Sequence, residues 1–158
     1  SNKVIQRGEI VSFDTDMVGP YGYCADISRT FVEGNKFNEE QKRLYRMSLE
    51  QINHNSRLIK NGMSFREFTE KSWKLPEEYY GNRYSVMVHG IGMCDEWPAI
   101  RYPTDGGERD GIFEKNMTIT VESYIGKTGG KEGVKLEQQY LVGKNNLELM
   151  SHHPLENI

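Results

Sequence analysis

At 158 residues, with 20 Lys+Arg against 23 Asp+Glu, the chain is long enough for one hydrophobic core and carries a formal net charge of -3. That balance excludes the basic field needed to hold nucleic acid or an anionic membrane surface, and no apolar run approaches the roughly 20 residues of a bilayer span. Mean hydropathy is -0.72, and two cysteines, Cys24 and Cys94, are too few for a disulfide framework, so reduced, partly buried thiols in a cytoplasmic protein are expected.

Over residues 9–31 the pattern is strand, turn, strand. Ile10, Val11 and Phe13 lead in, Gly19-Pro20-Tyr21-Gly22 turns, and residues 27–32 lead out. Asn38, followed by Glu39, Glu40 and Gln41, opens a helix in which Tyr45, Leu49, Ile52 and Ile59 recur at helical spacing until Asn61-Gly62 ends it. Ser64 and Glu67 form a capping box that predicts a second, shorter helix through Phe68 toward Trp73, with Pro76 as its stop. Residues 84–88 read as a short buried strand leading to a Gly-rich turn, and 91–111 as mostly loop. A second hairpin pairs residues 117–125 with 134–142 around Gly129-Gly130, and the polar tail after Gly143, with His152 and His153, shows no periodicity. His54 and the two tail histidines are assigned to the surface.

The carboxylates fall where carboxylates are unexpected. Asp14, Asp16, Asp26, Glu122 and Glu137 all lie inside segments that otherwise read as strands, and Asp is a poor strand former. Alternation puts Asp14 and Asp16 on one face, and Asp26 joins them if the turn centres near Pro20 or Tyr21. A turn between Gly129 and Gly130 sets Glu122 directly opposite Glu137. Like charges opposed on a strand pair repel, and buried carboxylates cannot stay ionised together without a cation. A solvated acidic face accounts for any one of these residues; Phe13, Ile27, Val121 and Leu136 beside them point to covered strands and to a metal site. His89, in Val88-His89-Gly90-Ile91-Gly92, adds an imidazole where glycines admit other groups to the backbone. Oxygen ligands with one imidazole suit paired divalent ions rather than a thiolate zinc site.

The succession Asp26-Ile27-Ser28-Arg29-Thr30-Phe31, then His89-Gly90-Ile91-Gly92, then Glu122 and Glu137, resembles the ligand order Asp, Asp, His, Glu, Glu of the creatinase, prolidase and methionine-aminopeptidase superfamily. The resemblance spans roughly residues 3–143. It implies an α+β pita-bread fold, a curved antiparallel sheet flanked by helices, with the whole chain forming the carboxy-terminal, metal-binding portion of the catalytic domain. It also implies two divalent metal ions (iron first; manganese, cobalt or zinc as alternatives) held by Asp14, Asp16, Asp26, His89, Glu122 and Glu137, a small-molecule substrate, and a homodimer for the full-length protein.

Three departures bear on the branch. The peptidases usually carry one Asp before Asp26, whereas here there are two, Asp14 and Asp16. They carry a second His in a His-Glu-x-Pro segment, where this chain has Asp95-Glu96-Trp97-Pro98. Their last Glu is followed by Asp, here by Gln138. These features and Tyr84, five residues before His89, look like the dimethylsulfoniopropionate lyases. That resemblance implies that Asp95 is the catalytic base and that Tyr84 positions substrate; taken alone, Asp95 reads as a turn-capping carboxylate and Tyr84 as a core aromatic. Arg29, Trp97 and the two cysteines read as structural lining. An Xaa-Pro dipeptidase and a non-catalytic binding module of the same fold are the other classes to weigh.

Overall fold

The computed structural model describes residues 2–34, 36–106, 110–156 and 158. Its first hairpin is broken in the middle. β1 (Ile10–Asp14) pairs with β4 (Ser28–Val32), and a short inner pair, β2 (Met17–Val18) with β3 (Cys24–Ala25), continues it to a single 3-10 turn at Pro20–Gly22. Both pairings share one register, with Tyr21 at the midpoint. At the break, the Thr15 hydroxyl accepts from the Ile27 amide (2.9 Å) and lies 3.1 Å from the Ile27 carbonyl, standing in for the missing ladder bonds. Asp16 there takes φ +28°, a conformation rare for a residue with a side chain.

α1 (Glu39–Leu58) begins at the expected cap: the Asn38 side chain accepts from the Gln41 amide, and the Gln41 side chain returns the bond to the Asn38 backbone. α2 (Phe65–Lys71) starts on Ser64 as expected. It ends well before Pro76, because the Asn55 side chain captures the Trp73 amide at 2.9 Å and draws the chain away from the helix path. Pro76 instead opens a 3-10 segment, Glu77–Asn82, which the periodicity did not indicate.

The main sheet has five antiparallel strands in the order β6-β5-β7-β8-β9, with β5 Val86–Gly90, β6 Ala99–Arg101, β7 Thr118–Gly126, β8 Gly133–Val142 and β9 Leu147–Leu149. The expected hairpin is β7 with β8, and Glu122 faces Glu137 in its register. Three expectations need correction. β5 begins two residues later than read, so His89 lies within the strand rather than at its end. β6 occupies part of the expected loop, of which residues 107–109 lie outside the described residues, and β9 pairs part of the tail. Both short edge strands are recruited by a neighbouring ladder, a tertiary effect that local pattern does not report.

Alternation divides the sheet into two chemical faces. Ile119, Val121, Ile125, Val134 and Leu136 join the apolar core with Leu44, Tyr45 and Ile52 of α1. Ser48 donates to the Val134 carbonyl, and Ser123 donates to Gln51 at 2.6 Å. The opposite face carries His89, Thr120, Glu122, Lys135, Glu137 and Gln139, aligned by the β5-β7-β8 register. The first hairpin covers that face through side chains. Thr30 Oγ1 donates to the Lys135 carbonyl (2.6 Å) and accepts from its amide (3.0 Å), and Ser28 reaches Glu137 at 2.8 Å. Among the described residues, no helix is long and apolar enough to cross a membrane.

Candidate metal centre

Between the first hairpin and the polar face of the main sheet lies a cavity of about 510 Å³. Asp14, Asp16, Asp26, Arg83, Tyr84, His89, Glu96, Glu122, Tyr124 and Lys135 line it. His89 Nε2 lies 3.2 Å from Glu137 Oε1, 3.7 Å from Glu122 Oε1 and 3.8 Å from Asp26 Oδ2. Asp26, His89, Glu122 and Glu137 are all at most 3% exposed. Ser28 stands between Asp14 Oδ1 (2.5 Å) and Glu137 Oε2 (2.8 Å), and its single O–H serves one of them at a time. The structure thus brings four of the six expected ligands into one buried cluster, with Asp14 and the exposed Asp16 at its mouth.

Burial and mutual repulsion shift the charges strongly. Burial, then the neighbouring Glu137, Asp14 and Asp16, push Asp26 up to about 8. Glu122 is raised by burial to about 8, against the opposing pull of Lys135. Burial works against charge on His89 and Glu137 as well, but their mutual hydrogen bond prevails: His89 is raised to about 9 and Glu137 lowered to about 2. Among the described residues, Asp26 Oδ1 and Glu122 Oε1 are buried without a hydrogen-bond partner. Buried carboxylate groups with oxygens left unpartnered beside an imidazole are what divalent cations satisfy.

The donor set therefore fits the metal that the sequence implied. Asp26, His89 and Glu137 each offer a ligand atom within 4.8 Å of the others, and so do Asp16, Asp26 and Asp95. Asp26 belongs to both groups. His89 Nδ1 donates to the Gly90 carbonyl at 3.0 Å, which leaves Nε2 to face the carboxylates: it donates to Glu137 in the metal-free fold and would give up that proton to bind a cation.

Asp95 sits on the loop after β5, half-buried, its Oδ1 accepting from the Glu96 amide at 3.0 Å. Two contacts hold this loop over the cavity: the Gly92 carbonyl accepts from the Cys24 amide (2.7 Å), and the Ile91 amide donates to the Thr118 carbonyl (3.1 Å). Tyr84 lines the cavity rather than the core, and its hydroxyl donates to Glu96 at 3.3 Å. Burial, then the charges of Glu122 and Glu96, raise that hydroxyl to about 12.

Among the residues read as lining, Arg29 is buried and Trp97 is 62% exposed. Cys94 is exposed, not partly buried as expected, because its loop lies on the surface; Cys24 is half-buried. His54, His152 and His153 are exposed, and none belongs to either group of converging ligand atoms among the described residues.

Two site residues escaped the sequence reading. Ser28 was an unremarked part of the Asp26 motif. Lys135 Nζ contacts Glu122 Oε2 and lies 3.4 Å from Asp14 Oδ2 and 3.7 Å from Glu137 Oε2. The available signal was its position two residues before Glu137 on the same strand, which alternation turns to the same face.

Residues 1–144 match metallopeptidase family M24. The chain belongs to that family, and its fold is the pita-bread fold. It is 36% identical to the dimethylsulfoniopropionate lyase DddP of Roseovarius nubinhibens over 98% of this chain and 35% of that protein. It is 31% identical to the Xaa-Pro dipeptidase of Pyrococcus furiosus over 96% of this chain and 42% of that protein. Among solved structures, the prolidase of Pyrococcus horikoshii OT3 superposes with a TM-score of 0.81 at 28% identity, covering 100% of this chain and 44% of its own. The chain spans between a third and a half of the length of these relatives.

Proposed function

We propose that the full-length protein cleaves dimethylsulfoniopropionate to dimethyl sulfide and acrylate by β-elimination. The observation that carries this reading is the carboxylate of Asp95, within 4.8 Å of ligand oxygens of Asp16 and Asp26, at the place where the peptidase pattern has a second histidine. A paired divalent centre on Asp14, Asp16, Asp26, His89, Glu122 and Glu137, iron being the first choice, would supply Lewis acidity to the substrate carboxylate and so acidify the adjacent C–H. Asp95 accepts that proton as general base. The C–H electron pair becomes the new C=C bond, and the C–S bond breaks with its electrons leaving on the neutral sulfide. No strong acid is required of the protein, because a sulfonium is already a good leaving group. Tyr124 puts a second aromatic ring on the cavity wall beside the Tyr84 ring that Lys135 faces, a surface that attracts onium cations. The 36% identity to DddP supports this choice.

The second reading, an Xaa-Pro dipeptidase, draws on the superposition with the prolidase. Hydrolysis needs a proton donor or oxyanion partner for the departing amine, and a carboxylate at position 95 serves that task less well than an imidazole. Headspace measurement of dimethyl sulfide from full-length protein, wild type against Asp95→Ala, decides between them. Release by the wild type and its loss by roughly 100-fold or more in the variant is expected. A wild type that releases none while cleaving Xaa-Pro dipeptides replaces the lyase with the peptidase.

A further inference from the structure

We propose that Lys135 is a built-in counter-cation of the carboxylate cluster, holding it together without metal and setting how tightly metal binds. The lysine is fixed at its root. Thr30 bonds both its amide and its carbonyl, so β8 presents the side chain only to the cavity. Its stem is largely covered, and its Nζ meets carboxylates from three strands: Asp14 of β1, Glu122 of β7 and Glu137 of β8. The Tyr84 ring closes the other side, with its centroid 4.7 Å from Nζ.

The pairing on Glu122 is asymmetric. Nζ takes Oε2, while Oε1, the oxygen nearer His89, is left without a hydrogen bond. One oxygen is thus held by the chain's own cation, and the other is free for an external one. Without Lys135 the buried carboxylates would keep His89 and, acting on Glu137, the buried Arg29 against their repulsion. With it, an entering metal meets a cluster already partly neutralised and a like charge a few ångströms away.

This role does not depend on whether the centre serves elimination or hydrolysis. The test is thermal unfolding and calorimetric Mn2+ titration of the full-length protein, as wild type, Lys135→Met and Lys135→Arg, stripped of metal and reloaded. Lys135→Met is expected to melt lower when metal-free, to gain more from Mn2+ than the wild type, and to bind Mn2+ about tenfold or more tightly; Lys135→Arg should track the wild type. If the methionine variant folds only with Mn2+, that is the same result in stronger form; if it fails to fold at all, Lys135→Gln supplies the comparison. An unchanged or smaller Mn2+ gain with weaker binding would make Lys135 a positioner of ligands and overturn the proposal. A wild type that Mn2+ does not stabilise would overturn it together with the metal centre.

Discussion

Asp26 carries a charge that the metal-free fold tolerates poorly, and the effect of Asp26→Asn on stability should therefore reverse sign with metal. Its carboxyl is pushed from an ordinary 3.8 to about 8 by burial and by Glu137, Asp14 and Asp16. A carboxyl raised in the folded state costs stability once pH exceeds its unfolded value, by about 1.4 kcal/mol per pH unit until the folded value is reached. At pH 7 that is on the order of 4 kcal/mol, of which relaxation around the neutral amide recovers roughly half or more. For a chain of this size, the metal-free variant should melt roughly 5 to 10 °C above wild type at pH 7. At pH 4, where the aspartate is protonated anyway, it should melt at nearly the wild-type temperature. With Mn2+ the order should invert, because an amide is a poorer ligand for a divalent cation than a carboxylate. Circular dichroism melts at both pH values, with chelator and with Mn2+, make the measurement. A variant less stable than wild type in all conditions would refute the reasoning and make Asp26 an ordinary packing residue.

The metal-free wild type should be most stable near pH 5 and weaken toward pH 9, as urea unfolding at pH 5, 7 and 9 would record. Glu122, raised to about 8, costs more as pH rises, and the stabilisation from His89, raised to about 9, is present below its ordinary 6.5 and lost as pH climbs through 9. Glu137, lowered to about 2, acts oppositely: it stabilises above its ordinary 4.5 and that contribution is lost as pH falls through 2. A flat profile from pH 5 to 9 would contradict these signs. Gly90→Ala should cost about 3 kcal/mol or more by the same assay, since a Cβ there would run into the Trp97 carbonyl and displace the loop that carries Asp95. Arg29→Met should free the tail, because the Arg29 guanidinium donates to the Pro154 (2.8 Å) and His153 (2.6 Å) carbonyls. Hydrogen exchange at residues 150–155 should then rise well above wild type, and unchanged protection would show that the tail is held otherwise.

The first and second hairpins were legible because each depends on local chemistry: turn residues at 19–22 and 129–130, and period-2 alternation on either side. That same alternation put Glu122 opposite Glu137, as the ladder has it. The helix starts were legible through Asn38 and Ser64, whose caps are one-turn interactions. β6 and β9 were not, since three residues carry too little periodicity and each strand exists only by pairing with β5 or β8. The interruption at Thr15 and Asp16 was also hidden, because it rests on a side chain replacing backbone bonds to a residue twelve positions away. Lys135 was overlooked for a different reason. A lysine in a strand ordinarily faces water, and only the first hairpin lying across β8 makes this one a neighbour of three carboxylates.

Side chains from the two hairpins and β5 converge on one cavity, and anomalous X-ray diffraction from crystals of the full-length protein grown with Mn2+ tests directly whether that cavity holds a pair of cations. Two anomalous peaks are expected in the cavity: one within bonding distance of Asp26, His89 and Glu137, and a second beside Asp16 and Asp26. Peaks elsewhere on the molecule, or a cavity without any at saturating Mn2+, would contradict it.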